Sequence, residues 1–120
     1  MNRSNLRVVG SEDGRSGGRT RSLRSGKVVF GSLQFSRDCT IRDVSDGGVR
    51  IRIEDPGSIP NEFWLLDIRN FAAFKAQVKW RQNNDLGLSV GAACSLDDTE
   101  TLQMRTLRML AMEAKQRMGG

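Results

Sequence analysis

A short polar segment and a pair of arginines carry the residues of this chain best suited to hold a ligand. The segment from Asp43 to Gly48 reads Asp-Val-Ser-Asp-Gly-Gly and lies between two runs of alternating polar and apolar residues. Its carboxylate and hydroxyl offer hydrogen-bond acceptors and a donor, and its paired glycines let a ligand approach the backbone closely. Arg15 and Arg19 supply guanidinium groups, which can fork onto phosphate oxygens. These residues predict a binding site for a small anionic ligand.

The composition argues against catalysis and against a bound metal. The chain has no histidine, which is the commonest general base and the usual partner of a nucleophilic serine or cysteine. Its two cysteines, Cys39 and Cys94, lie in strand-like surroundings and are poor metal ligands without histidine. We therefore expect a protein that is not an enzyme, with no catalytic residues, no metal site, no cofactor and two buried, reduced thiols.

Positive charge is concentrated near the N-terminus. Residues 1–26 hold six arginines against two acidic residues, whereas the remainder of the chain holds 13 basic and 12 acidic residues. Residues 1–24 are rich in Arg, Ser and Gly and carry too few large apolar side chains to build a core. This segment predicts a flexible basic arm that meets an anionic partner.

Six short runs of strand-like sequence follow the arm and predict a small antiparallel barrel within residues 25–94. They begin at Val28, Gln34, Val49, Phe63, Phe74 and Leu86, and residues typical of turns separate them. In the fifth run Trp80 keeps the phase of the apolar residues before it, so we expect it in the core at the end of a strand rather than as a stacking platform for a ligand. The run from Phe63 to Ile68 is apolar on both faces and must be covered by another element.

The last part of the chain, residues 95–120, changes to a helical period. Ser95 followed by Asp98 predicts the N-terminal cap of a helix of about five turns. Apolar residues recur at spacings of three and four along one face: Met104, Leu107, Ala111, Ala114 and Met118. That face either packs on the same barrel, which we favour, or seals against a second protomer. The arm, the barrel and the helix are expected to form one domain.

Taken together, the arginine pair and the polar turn resemble the two signatures of PilZ domains. Arg15-x-x-x-Arg19 is followed, after 23 residues, by Asp43-x-Ser45-x-x-Gly48, which is similar to the RxxxR and [D/N]xSxxG motifs of that family. Residues 25–30, 39–43, 47–50 and 78–81, with the Leu-Gly pair at 86 and 87, look like the family's framework. The resemblance covers residues 15–92. It implies a mainly β fold, a six-stranded antiparallel β-barrel of PilZ type with a flexible basic N-terminal arm and a C-terminal α-helix.

The resemblance also implies that the ligand is cyclic di-GMP, a bacterial second messenger, bound as one molecule or as a stacked pair. The implied ligand-binding residues are Arg15, Arg19, Asp43, Ser45 and Gly48. The arginines would contact phosphates or guanine edges, Asp43 would accept hydrogen bonds from guanine N1 and N2, and Gly48 would leave room. Residues beside the motifs are second-rank candidates: Arg21, Arg24, Gly47 and Arg50.

The sequence leaves three functions open. The first is a bacterial cyclic di-GMP receptor that relays the signal to a downstream protein partner, as a monomer or a helix-mediated dimer. The second is a PilZ-like adaptor that binds no nucleotide and acts through protein contacts of its C-terminal helix. The third, a nucleic-acid binder, is disfavoured because the chain has no tyrosine and lacks interleaved surface aromatics. Without a long apolar run, we expect no membrane insertion and a cytoplasmic location.

Overall fold

The protein is described by a computed structural model, which covers residues 19–46 and 48–117, with the backbone alone for residues 19–22. Its strands are β1 (Arg19–Phe30), β2 (Phe35–Ser45), β3 (Gly48–Arg52), β4 (Glu62–Asp67), β5 (Ala72–Gln82), β6 (Asp85–Val90) and β7 (Cys94–Ser95). A 3-10 turn at Pro56–Ser58 connects β3 to β4, and one α-helix, α1 (Leu102–Arg117), follows the strands.

The first six strands close into a barrel. Each pairs antiparallel with its neighbours in the order β4-β1-β2-β3-β6-β5, and pairing of β4 with β5 completes the ring. The two-residue strand β7 adds to β5 beyond the end of β6. The fold class predicted from the sequence, a mainly β protein with a six-stranded antiparallel barrel and a C-terminal helix, is confirmed.

Alternation along the strands fills the barrel interior, because successive side chains of a strand point to opposite faces. The interior is built from β-branched, leucine and phenylalanine side chains of all six strands, among them Val28, Ile41, Val49, Ile51, Leu65, Phe74, Leu86 and Leu88. Cys39 also lies here, and burial raises the pKa of its thiol to about 12. Cys94 is a free thiol as well, but it is only half-buried, because it lies at the rim of the surface beneath α1.

Strand β4 contributes to two cores, as its apolar sequence on both faces predicts. Phe63 and Leu65 point into the barrel, whereas Leu66, and Ile68 just beyond the strand, point outward. The outward side chains pack under α1 in a second cluster, which contains Val29, Ala73, Leu96, Met104, Leu107, Ala111 and Ala114. Helix α1 is therefore the element that covers β4, and it packs on its own barrel. Met118, the last residue of the predicted stripe, lies outside the described residues.

The predicted helix cap at Ser95 is wrong. Ser95 pairs with β5 as part of β7, and the next residues form a turn in which the Asp97 amide donates to Ser95 Oγ at 3.1 Å. The helix begins at Leu102, and the Met104 amide donates to Thr101 Oγ1 at 3.1 Å, which makes Thr101 the cap. Strand pairing holds Ser95 in an extended conformation, so the chain must turn before a helix can start.

Strand β1 begins earlier than the sequence predicts. Residues 19–24 were expected in the arm because of their Arg- and Ser-rich composition, yet they belong to β1, and Arg19, Thr20, Arg21 and Arg24 pair with β2. The conformation of this segment is set by its pairing with β2 and not by its local sequence pattern. The remaining arm, residues 1–18, lies outside the described residues, so its flexibility and the domain boundaries stay predictions. Among the residues that the structure describes, no helix is long and apolar enough to span a bilayer.

Packing of α1 on the barrel predicts that truncation of one leucine of this helix lowers stability strongly, whereas truncation of another leaves it almost unchanged. Leu107 is fully buried, whereas Leu102 is 72% exposed. Leu107→Ala should lower the free energy of unfolding by about 2–5 kcal/mol, the usual cost of truncating a buried leucine. Leu102→Ala is the matched control and should change it by no more than about 0.5 kcal/mol. Denaturant unfolding measures both, and equal losses would contradict the packing described here.

Candidate ligand-binding face

The pairing of β1 with β2 brings the two sequence motifs together. In this register Arg19 lies opposite Ser45, and Arg21 lies opposite Asp43. One pair of strands therefore holds the second arginine of the RxxxR motif together with Asp43 and Ser45 of the DxSxxG motif. Only the backbone of Arg19 and Arg21 is described, and Arg15 and Gly47 lie outside the described residues.

An extra residue in β2 decides which way the motif faces. Ile41 pairs with Ile51 and Asp43 pairs with Arg50, so Arg42 has no opposite residue in β3 and forms a bulge. Ile41 and Val44 both point into the barrel, and this leaves Asp43 on the outer surface. The sequence carries a signal of the bulge, since the apolar residues Cys39, Ile41 and Val44 change from a spacing of two to a spacing of three at this point.

Asp43 is one member of a row that crosses four strands of the outer surface. Register places Asp43 of β2 beside Arg50 of β3, Arg50 beside Gly87 of β6, and Gly87 beside Trp80 of β5. Directly opposite residues of antiparallel strands share a face. The row therefore carries a carboxylate, a guanidinium and an indole with a glycine between the last two.

Trp80 lies on the surface, and its predicted core position is wrong. It is 43% exposed, and its indole covers Gly87 so closely that a Cβ there would overlap the ring. Val78 pairs with Leu88 and Trp80 with Gly87, so Lys79 is a second bulge. That bulge turns Trp80 from the inner to the outer face. Because Lys79 is itself polar, the alternation in the sequence gives no sign of the shift.

Arg50 links two buried carboxylates on this face. Its Nη2 atom lies 2.6 Å from Asp43 Oδ2, and its Nη1 atom lies 3.6 Å from Asp85 Oδ2. Asp85 is held in turn by Arg52, whose Nε donates to Asp85 Oδ1 at 3.1 Å. Asp85 belongs to neither sequence motif. Its partners come from β3, more than 30 residues away, so no local pattern marks it.

The contact between Asp43 and Arg50 is close but poorly aligned. Oδ2 of Asp43 and Nε of Arg50 have almost no accessible surface, and neither has a hydrogen-bond partner among the described residues. The 2.6 Å separation makes an ion pair, while its angles fall short of a hydrogen bond. Buried polar atoms in proteins are nearly always satisfied, so these two atoms keep an unused hydrogen-bonding capacity.

Ser45 and Gly48 end the motif at the β2–β3 turn. Among the described residues, the Ser45 hydroxyl makes one long contact of 3.5 Å to the Gly48 carbonyl oxygen, so it can still bind another group. A Cβ on Gly48 would overlap the carbonyl oxygen of Leu88. Within the described residues, the room that Gly48 leaves is thus taken by the backbone of β6.

Arg24 has a structural partner. Its Nη2 atom lies 3.0 Å from Oδ2 of Asp67, a fully buried carboxylate that also accepts two hydrogen bonds from Asn70. This pair ties β1 to the end of β4, and any contact of Arg24 with ligand stays a prediction. Within residues 19–46 and 48–117, no three His, Cys, Asp or Glu side chains cluster so as to hold a metal ion.

Comparison with known proteins places the chain in a family. The family model described as PilZ domain matches residues 13–113, which is most of the chain and includes both motifs and the barrel. A search of curated proteins gives no match. The family match confirms the resemblance that the two motifs indicate.

The close approach of β3 to β6 leaves no room for a side chain at Gly48, which a substitution can test. Gly48→Ala should lower the free energy of unfolding by about 1–3 kcal/mol, because the methyl group must displace the Leu88 backbone. Gly57→Ala is the control, since nothing lies within 4 Å of its Cβ position, and it should leave stability unchanged or slightly higher. Thermal and denaturant unfolding compare the two. A neutral Gly48→Ala would contradict this account of the turn.

Proposed function

The chain belongs to the PilZ domain family, and we propose from that premise that it is a bacterial receptor for cyclic di-GMP. The ligand binds on the outer face of the barrel, over β1, β2 and β3. The observation that carries the proposal is the register of β1 and β2, which sets Arg19 against Ser45 and Arg21 against Asp43.

The chemistry of the face suits a guanine nucleotide. A carboxylate such as Asp43 accepts hydrogen bonds from guanine N1 and N2, and a serine hydroxyl can donate or accept. Arginines of β1 and of the preceding segment bind phosphates or guanine O6 and N7 in a forked geometry. In this proposal Arg15 and Arg19 hold the ligand from one side, and Asp43 and Ser45 hold a base from the other.

Trp80 extends the proposed site along the row. Its exposed indole lies three strands from Asp43, roughly 14 Å along the surface at the usual spacing of strands. An exposed aromatic ring offers a stacking surface for a base. A second guanine of the ligand, or a second stacked molecule, would find its platform there.

The proposed relay runs along β1 to the helix. One end of this strand carries Arg19 and Arg21, and the other end carries Val29, which packs under α1. A ligand that orders the end of β1 with Arg19 and Arg21 therefore acts on a strand that also supports α1. Binding would then change the surface that β1 and α1 present to a downstream protein partner.

Calorimetric titration with cyclic di-GMP tests the proposal. Wild type should release or absorb heat on binding, and Arg19→Ala and Asp43→Asn should each weaken affinity by about 10- to 150-fold, the range for a lost charged hydrogen bond. Arg105→Ala and Asp98→Asn change the net charge in the same way on exposed residues near or on α1 and should bind like wild type. Absence of heat with wild type at high micromolar ligand would refute nucleotide binding.

The helix surface favours a second candidate function, that of a protein adaptor. Leu102, Met109 and Met112 are 72%, 64% and 41% exposed on α1. Leu102 also lines a groove of about 990 Å³ between the start of α1, the β1–β2 turn and strands β4 and β5. Exposed apolar surface with flexible methionines is typical of protein-binding sites. An adaptor would use this surface without a nucleotide.

Sedimentation of wild type and a Met109→Glu, Met112→Glu variant tests this function in its dimeric form. Both side chains are exposed, so the variant should stay folded while a helix-mediated dimer would dissociate to half its mass. Substitution is preferable to removal of α1, because the helix covers a buried cluster that truncation would expose. A wild type that remains monomeric at every concentration would exclude the helix-mediated dimer.

A further inference from the structure

Arg50 covers one oxygen of the carboxylate that the proposed function assigns to guanine. Asp43 Oδ2 has almost no accessible surface, and Arg50 Nη2 is 2.6 Å from it. An incoming base cannot reach this oxygen while the guanidinium stays in place. Two groups thus compete for one acceptor, the internal cation and the N–H groups of guanine.

Asp85 offers the displaced guanidinium another acceptor. Its Oδ2 atom is already 3.6 Å from Arg50 Nη1, so a short rotation of the side chain would complete that contact. Asp85 is itself largely buried and is held in position by Arg52, whose Nε donates to Oδ1 at 3.1 Å and whose Nη2 makes a longer contact of 3.5 Å to Oδ2. Without Asp85, Arg50 would leave Asp43 with no anionic partner and remain a partly buried, unpaired cation, which is costly.

The ion-pair geometry agrees with a side chain that can take two positions. Arg50 Nε has no hydrogen-bond partner in the first position, and its contact with Asp43 is misaligned. Arg37 provides a contrast on the same barrel, because its guanidinium donates to Ser58 Oγ at 3.0 Å and to the Glu54 carbonyl oxygen at 2.7 Å. Arg37 is anchored by two acceptors, whereas Arg50 is shared between two carboxylates.

We propose that Arg50 is a gate on Asp43 and that Asp85 is the positioning residue that receives its guanidinium when cyclic di-GMP binds. The inference rests on the proposed function. It gives Arg50 a role different from direct contact with the ligand. It also gives Asp85, which belongs to neither motif, an effect on affinity that acts through Arg50.

A double-mutant cycle read by calorimetric titration with cyclic di-GMP tests the gate. Asp85→Asn, which keeps the shape and removes the charge, should raise Kd about tenfold in the wild-type background. Arg50→Gln removes the gate and should bind at least as tightly as wild type. In the Arg50→Gln background, Asp85→Asn should then change Kd less than twofold, because no displaced guanidinium needs an acceptor.

The outcomes separate this inference from a structural role of Asp85. An equal loss in both backgrounds, reproduced by Arg52→Gln, would mean that Asp85 only supports β3 and β6, and would overturn the gate. A Kd raised tenfold or more by Arg50→Gln alone would mean that Arg50 binds the ligand itself, and would also overturn it. If the wild-type protein gives no heat of binding, both the proposed function and the gate are refuted. If it gives heat but the cycle shows no coupling between Arg50 and Asp85, the gate alone is refuted.

A second measurement needs no variant. Guanidinium Nε–H resonances in proton–nitrogen spectra of the wild-type protein should show a shift of Arg50 on addition of cyclic di-GMP, as Nε leaves its unpaired position. Arg37 Nε–H is the internal control and should stay in place, since its guanidinium is already anchored. An unchanged Arg50 signal at saturating ligand would overturn the gate.

Discussion

The antiparallel pairing of β1 with β2 is the interaction on which both the barrel and the candidate face depend. The later half of β1 also pairs with β4, so the first strand joins the motif strands to the strand that closes the ring. Its earlier half sets the arginine-bearing backbone against Asp43 and Ser45. Val29, near the other end, supports α1. Because β1 takes part in the candidate face, in the closed barrel and in the packing beneath α1, a change at any one of these places can affect the other two.

Two bulges place Asp43 and Trp80 on the outer surface of a barrel whose interior stays apolar. A strand without irregularity would keep Asp43 in phase with Ile41, and Trp80 in phase with Val78, inside the barrel. The extra residues Arg42 and Lys79 shift the phase, so the carboxylate and the indole reach the outer surface. The interior stays apolar on both sides of each bulge, which is why the irregularities do not cost the core its packing.

The buried carboxylates Asp67 and Asp43 differ in how completely their oxygens are satisfied. Asp67 is fully buried, and Arg24 and Asn70 satisfy both of its oxygens. Asp43 is also buried, but Arg50, its close cation among the described side chains, is misaligned, and Asp43 Oδ2 keeps an unused hydrogen-bonding capacity. A buried charge needs a partner, so both are paired. The unsatisfied oxygen of Asp43 is the one that the proposed function assigns to a ligand.

The sequence by itself determined the family, the class of fold, the two motifs and the buried stripe of α1, because periodicity and turn residues act locally. It also determined that β4 needs cover on its outer face, since Leu66 and Ile68 cannot stay in water. Only the tertiary structure decided the start of β1, the cap at Thr101, the outward position of Trp80 and the link from Arg50 to Asp85. Each of these depends on pairing between strands or on a bulge within that pairing. Register between distant segments is set by the whole barrel, and no single stretch of sequence encodes it.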